Sequence, residues 1–159
     1  MAHKLDPRYC NVFIDAHVLD PAGGIEDEAV DEILDLHEAE KFFLQMPHSV
    51  KQEIEHPNTP DDVKRRAARL LFSTPVPLTQ NELDMRDKIC ALMQGNAKPG
   101  KHNRDAYHVV ESAKYGGYFI TNDRRILKKE REIQKLLSSL SIVTPDQFLR
   151  VFRSFEDNN

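Results

Sequence analysis

RDAYHVVESAKYGGYFITNDRRIL, residues Arg104–Leu127, is the stretch on which the fold reading turns. Ala106, Val109, Val110 and Ala113 recur at the three- and four-residue spacing of one helical face. Gly116-Gly117 stops that helix. Tyr118-Phe-Ile-Thr121 then reads as a short apolar strand. Asp123 opens a basic helix that runs to about Leu137. Helix, strand and helix within 24 residues describe one unit of a parallel α/β fold.

The same alternation extends outward. Asn11–Ile14 reads as a strand ending at Asp15, Phe42–Met46 as a second, and Ser141–Val143 as the last, with a short edge strand at Val76-Pro77-Leu78. Between them lie an acidic helix from Glu26 to about Glu40 and a short helix carrying Glu53 behind a Ser49–Gln52 capping box. A further helix starts at Thr59-Pro60-Asp61-Asp62 and runs to Leu71. Another, behind a Thr79–Glu82 box, runs to about Met93. Gly95–Asn103 is the clearest loop, and Thr144 caps the final helix. The expected architecture is a single domain over 1–159, core about 11–152: a three-layer α/β/α sandwich around a mostly parallel central sheet.

Composition supports a soluble globular chain, with 40% apolar and 30% charged residues. No apolar run approaches the roughly 20 residues that cross a membrane. The start MAHKLDPRYC lacks the apolar stretch of a secretory signal, and the expected location is the cytoplasm. Cys10 and Cys90 are isolated, so neither a disulfide framework nor a zinc finger is expected. Net charge is −4, which by itself opposes nucleic-acid binding. The charge is uneven, however. Residues 1–63 hold 15 acidic and 4 basic side chains, whereas 97–131 hold 9 basic and 4 acidic. A polyanion can find positive surface in the later part of the chain.

Taken singly, the acids along the chain have ordinary readings: Asp15 a turn residue, Glu53 a solvated one, Asp105 a first-turn acid, Asp123 a helix cap. Asp15 and Asp123, however, both follow strands, and ligands of such sheets bind beyond the strands' carboxyl ends. Carboxylates gathered at one rim repel each other and are costly to desolvate. A hard cation, Mg²⁺ or Mn²⁺, relieves both. Whether Glu53 and Asp105 join them is not decided by spacing.

NVFIDAHVL from Asn11, SVKQEI from Ser49 and the Arg104–Leu127 stretch, in this order and spacing, resemble the PIN-domain nucleases, the family that includes VapC-type toxins. The resemblance covers roughly Asn11 to Gln147. It implies that Asp15, Glu53, Asp105 and Asp123 are the catalytic, metal-binding acids, with Glu55 competing for the second place. It implies that Thr121 orients an acid, Asp15 by preference, and that Asn122 adds a polar contact. His17 departs from the family pattern, which has a small polar residue there. The activity implied is a Mg²⁺- or Mn²⁺-dependent endoribonuclease leaving a 5′-phosphate and a 3′-hydroxyl. The setting implied is the toxin of a toxin–antitoxin pair, with an antitoxin partner, homodimerisation and no membrane.

Lys101, Arg104 and Arg124 adjoin the acids and are the expected substrate contacts. Lys64, Arg65, Arg66 and Arg69 form a further basic cluster, and Tyr107 and His108 are expected to serve helix packing. Two alternatives compete: a non-catalytic PIN-like RNA-binding or assembly module, and an RNA-processing nuclease outside any toxin system. A receiver-type phosphate-transfer domain lacks its acidic pair after the first strand, and a nucleotide hydrolase lacks its Gly-rich loop.

Overall fold

Residues 5–20, 26–74, 77–95, 98 and 102–158 are described by the computed structural model. Five strands form one all-parallel sheet: β1 (Val12–Ile14), β2 (Leu44–Met46), β3 (Leu71–Phe72), β4 (Gly117–Ile120) and β5 (Leu140–Val143), in the order β3-β2-β1-β4-β5. The helices are α1 (Asp27–Glu38), α2 (Lys51–Glu55), α3 (Asp61–Ala67), α4 (Gln80–Gln94), α5 (Asn103–Tyr115), α6 (Arg124–Leu127), α7 (Glu130–Leu136) and α8 (Pro145–Asp157). Helices cover both faces, so the molecule is a three-layer α/β/α sandwich. No helix among the described residues is long and apolar enough to cross a membrane.

The pleat sorts the strand side chains between two cores. Val12, Ile14, Tyr118, Ile120 and Val143 pack toward α1, α3 and α8. Phe13, Phe119, Leu140 and Ile142 pack toward α4, α5, α6 and α7. Both faces are therefore apolar, and the strands read as unbroken apolar runs for that reason.

Two expectations about elements need correction. The third strand is not at Val76–Leu78. Val76 lies outside the described residues, and Pro77 and Leu78 are not in a strand. Instead α3 stops at Ala67, and Leu71 and Phe72 pair with Gln45 and Met46. A two-residue edge strand after a helix has too few residues to show a period, so it read as helix. The helix expected from Asp123 to Leu137 is broken into α6 and α7. The Lys129 N–H bonds to the Ile126 carbonyl, a 3₁₀-type turn that tightens the chain between them.

The capping box at Thr79–Glu82 forms as read, and Thr144 caps α8 as expected, with Gln147 closing a second box. The one at Ser49–Gln52 does not. His48–Val50 is a 3₁₀ turn, α2 begins after Val50, and Ser49 turns to partners on α5. Thr59 likewise donates its hydroxyl to the Glu53 carbonyl rather than capping α3. Of the predicted loop, Ala97 and Asn96, Pro99, Gly100 and Lys101 lie outside the described residues.

The basic residues of α3 and its exit are also reassigned. Arg66 reaches Asp27 and Asp31 of α1 at 2.8 Å each, and Arg69 pairs with Asp35 and Glu38. These guanidinium groups tie α3 to the acidic face of α1, so two of the cluster's four cations serve the fold.

The strand order shows the chain leaving β1 in one direction through β2 and β3, then in the other through β4 and β5. The reversal falls between β1 and β4, where such sheets open a crevice at their carboxyl ends. Gly117 sets how closely these strands approach. Its φ is +91°, and a Cβ there would lie 1.9 Å from the Asn11 carbonyl oxygen, which accepts the Tyr118 N–H at 3.0 Å. Gly116, at φ +78°, has open space around it. Gly116→Ala is expected to cost about 1–3 kcal/mol from backbone strain alone. Gly117→Ala adds the backbone clash and is expected to cost more than Gly116→Ala. Urea unfolding midpoints of the two variants check the order, and equal losses would refute the close-approach account.

Candidate metal site

The carboxyl ends of β1 and β4 stand level because their register pairs Ile14 with Ile120. The next residues, Asp15 and Thr121, are therefore neighbours. The Asp15 N–H bonds the Ile120 carbonyl at 2.9 Å, and the Thr121 hydroxyl donates to Asp15 Oδ2 at 3.0 Å. Thr121 Oγ1 also accepts the Asp123 N–H at 3.0 Å. One fully buried hydroxyl thus fixes an acid on each strand end, as expected for Thr121. Asn122 is half-buried between them.

Asp15 is 5% exposed. Burial pushes its carboxyl above the usual carboxylate range, and the like charge of Asp105 adds to this. His17, His108 and the Thr121 hydrogen bond offset the rise only in part. His17 is exposed, yet it acts electrostatically on Asp15, Glu53 and Asp123 together, so it borders this rim.

Glu53 and Asp105 converge. With His108 they form a group whose ligand atoms lie within 4.8 Å of one another, and this group can hold a metal ion. Glu53 sits on α2 and Asp105 and His108 one turn apart on α5, so the short helix meets the first turns of the longer one. Glu53, not Glu55, is the acid in the cluster; Glu55 is exposed and pairs with Lys51 at 3.8 Å. The hydrogen bond with His108 holds the Glu53 carboxyl below its usual range, against burial, with His17 and Arg104 adding their fields.

His108 departs from the packing role expected of it. It is 2% exposed, with Nε2 3.1 Å from Glu53 Oε1 and Nδ1 2.6 Å from Ser49 Oγ. The Ser49 hydroxyl can donate or accept, so it suits either imidazole tautomer. The Ser49 N–H in turn donates to buried Glu111 Oε2 at 3.0 Å. The 3₁₀ turn before α2 is thereby bolted to α5, and this is what displaced the expected capping box. A serine, a histidine and a glutamate sharing one buried network is the outer support that metal-ligating histidines need. The available signal in sequence was His108 three residues after Asp105, one helical turn.

Asp123 caps α6, its Oδ1 accepting the Arg125 N–H at 2.9 Å. Arg125 then folds back, placing Nη2 2.8 Å from Asp123 Oδ2 and 3.2 Å from Asp105 Oδ2, with Nη1 2.8 Å from His102 Nδ1. Burial is the strongest influence on Asp123 and acts upward, but the Arg125 hydrogen bonds and charge together outweigh it and lower the carboxyl. Asp123 is therefore bound to Asp105 through a guanidinium, standing beside the Glu53–Asp105–His108 group.

Among the expected substrate contacts, Arg104 is 68% side-chain exposed and stands 3.9 Å from Glu53 Oε1. Lys101 lies outside the described residues. Arg124 is exposed on α6, and it is Arg125 whose side chain reaches the acids. The second residue of a helix lies over its cap residue, which spacing along the sequence does not single out.

The chain matches no protein-family model, no curated protein and no solved structure. Thr121→Val, which keeps the shape and removes the hydroxyl, is expected to destabilise the fold by about 1–3 kcal/mol through the two buried groups it leaves unpaired. Chemical denaturation measures this; a loss below about 0.5 kcal/mol would show that the hydroxyl does not hold the two strand ends.

Proposed function

We propose that this chain is a divalent-metal-dependent nuclease that hydrolyses phosphodiester bonds in RNA. The observation that carries the proposal is the convergence of Glu53, Asp105 and His108 at the rim where the sheet order reverses. Two carboxylates and an imidazole fit a borderline-hard divalent ion. The imidazole weighs for Mn²⁺ over Mg²⁺, which keeps to oxygen donors.

Glu53, Asp105 and His108 would hold the ion. When bound there, it supplies a Lewis acid for a phosphoryl oxygen and lowers the pKa of a coordinated water. Asp15, oriented by Thr121, stands beside the group, where a bound cation would favour its charged form. Ser49 keeps the His108 ring in place. Arg125 supplies a fixed positive charge between Asp105 and Asp123, where a phosphate's negative charge can be met. Exposed Arg104, close to Glu53, is available to a substrate phosphate on approach. A toxin role, with an antitoxin partner and a homodimer, rests on the resemblance of the three sequence motifs and is proposed as the setting.

A second reading has one specific observation in its favour. Arg125 already bridges two of the four acids, Asp105 and Asp123, as it would in a non-catalytic RNA-binding module. Metal binding and cleavage separate the two. By Mn²⁺ titration followed by electron paramagnetic resonance, Glu53→Gln and His108→Ala are expected to weaken binding at least about tenfold. Arg125→Gln, which removes a like charge from the ion's surroundings, is expected to tighten it.

Single-stranded RNA incubated with Mn²⁺ is expected to be cut by the wild type and not by Asp105→Asn, and EDTA is expected to abolish cutting. Cleavage that survives EDTA, or persists in Asp105→Asn, would overturn the site. Metal binding without cleavage of any RNA would favour the binding module.

A further inference from the structure

Next to the acidic group lies an open groove of about 620 Å³, lined by the His48–Val50 turn, α2, Arg86 of α4 and the first turns of α5. Three cations meet there from three different helices: Lys51 of α2, Arg86 of α4 and Arg104 of α5. Glu55 is the carboxylate among the lining residues, so the groove is net positive on a chain that is net negative. Sequence separation hides this, because Lys51 and Arg86 lie in segments that show no basic run near the acids.

The cations are available. Lys51 and Glu55 stand 3.8 Å apart on the exposed side of α2. Arg86 pairs with its neighbour Asp87 at 2.9 Å, and Asp87 is largely exposed. Pairs of this kind are worth little in water and yield readily to a better anion. Arg104 is the most exposed of the three. The remaining lining suits bases rather than a bare polyanion: Tyr107 packs in part against the α4–α7 core, as expected, and its half-buried side chain also lines the groove, while Gln52 and Asn103 offer donors and acceptors.

The groove also ends at the metal group. His108 lines it and hydrogen-bonds Glu53 Oε1, and Arg104 lines it and stands 3.9 Å from the same oxygen. A strand lying along Lys51 and Arg86 would therefore be led to Asp105.

We infer that this groove seats a single-stranded nucleic acid segment, with Lys51, Arg86 and Arg104 on successive phosphates and Tyr107 as a stacking platform for a base. A cationic groove interleaved with an aromatic ring is the arrangement that binds single strands. A duplex would present paired, stacked bases that neither Tyr107 nor Gln52 can reach. The inference rests on the nuclease reading for its purpose, and it is testable without cleavage.

The probe is a fluorescein-labelled single strand of about ten nucleotides, within the length one such groove covers. Its polarisation is read in EDTA at several salt concentrations, with RNA, DNA and duplex RNA arms. The wild type is expected to bind both single strands and to bind the duplex at least about tenfold more weakly. The Lys51→Gln/Arg86→Gln double variant is expected to bind about tenfold more weakly than wild type. Its slope of log affinity on log salt is expected to fall by about 1.4, two contacts at about 0.7 each. Tyr107→Leu keeps apolar packing but loses stacking. It is expected to weaken binding about tenfold with the salt slope unchanged, its fold being checked by thermal melting.

Lys128→Gln/Lys129→Gln, away from the groove, is expected to bind as wild type does. Unchanged affinity and slope in the Lys51/Arg86 variant, tight duplex binding, or no binding of single strands would each overturn the groove. If the groove variants lose binding as expected while the wild type cuts nothing with Mn²⁺, the groove stands and the nuclease reading fails. If RNA is cut but the groove variants bind and cut with unchanged KM, the nuclease reading stands and the groove fails.

Discussion

The parallel pairing of β1 with β4 is the constraint on which the rest of the molecule depends. Gly117 lets the two backbones meet at Asn11, and the register then carries Val12, Phe13 and Ile14 alongside Tyr118, Phe119 and Ile120. Because the strands end level, Asp15 and Thr121 touch, and Thr121 in turn holds the Asp123 backbone. The same pairing is where the strand order reverses, so the crevice and the acids coincide. A slip of one residue would exchange the two apolar faces and carry Asp15 out of reach of the hydroxyl.

Around that pairing the fold manages charge. Four carboxylates and a buried histidine near one rim would be unstable without partners. Each has one: Thr121 for Asp15, His108 for Glu53, Arg125 for Asp105 and Asp123. Thr121 follows the end of β4, His108 lies in the second turn of α5, and Arg125 at the start of the short helix α6 folds back over the rim. The acidic face of α1 is handled separately, by Arg66 and Arg69 of the α3 segment. Runs of basic residues that look alike in sequence thus have different uses: one set holds two helices together, another stands over the site, and Lys51, Arg86 and Arg104 line a groove beside it.

Glu53, Asp105 and His108 can hold a metal ion. In the reading proposed above, an imidazole among the donors, held by the Ser49 hydroxyl, weighs toward a metal that accepts nitrogen. The four acids implied by the resemblance do not stand as equals. Glu53 and Asp105 belong to the tight group, Asp15 is buried and oriented beside it, and Asp123 is engaged by Arg125.

What the sequence by itself determined was whatever depends on near neighbours along the chain. Four of the five strands were legible because burial on both faces makes them unbroken apolar runs, and the Thr79 and Thr144 caps because a capping box closes within four residues. The strand-end placement of Asp15 and Asp123, and the Thr121 contact expected from resemblance, belong to the same part of the molecule. Only the tertiary structure decided the rest. The edge strand β3 exists because β2 offers it a partner, not because two residues have a pattern. Ser49 abandons its local cap for His108 and Glu111, since a buried polar group gains more from a partner shielded from water than a helix end gains at the surface. Arg125, rather than Arg124, meets the acids because helix geometry turns the second residue over the cap. Lys51 and Arg86, 35 positions apart, share a groove only because the fold brings α2 and α4 to its two sides beside the first turns of α5.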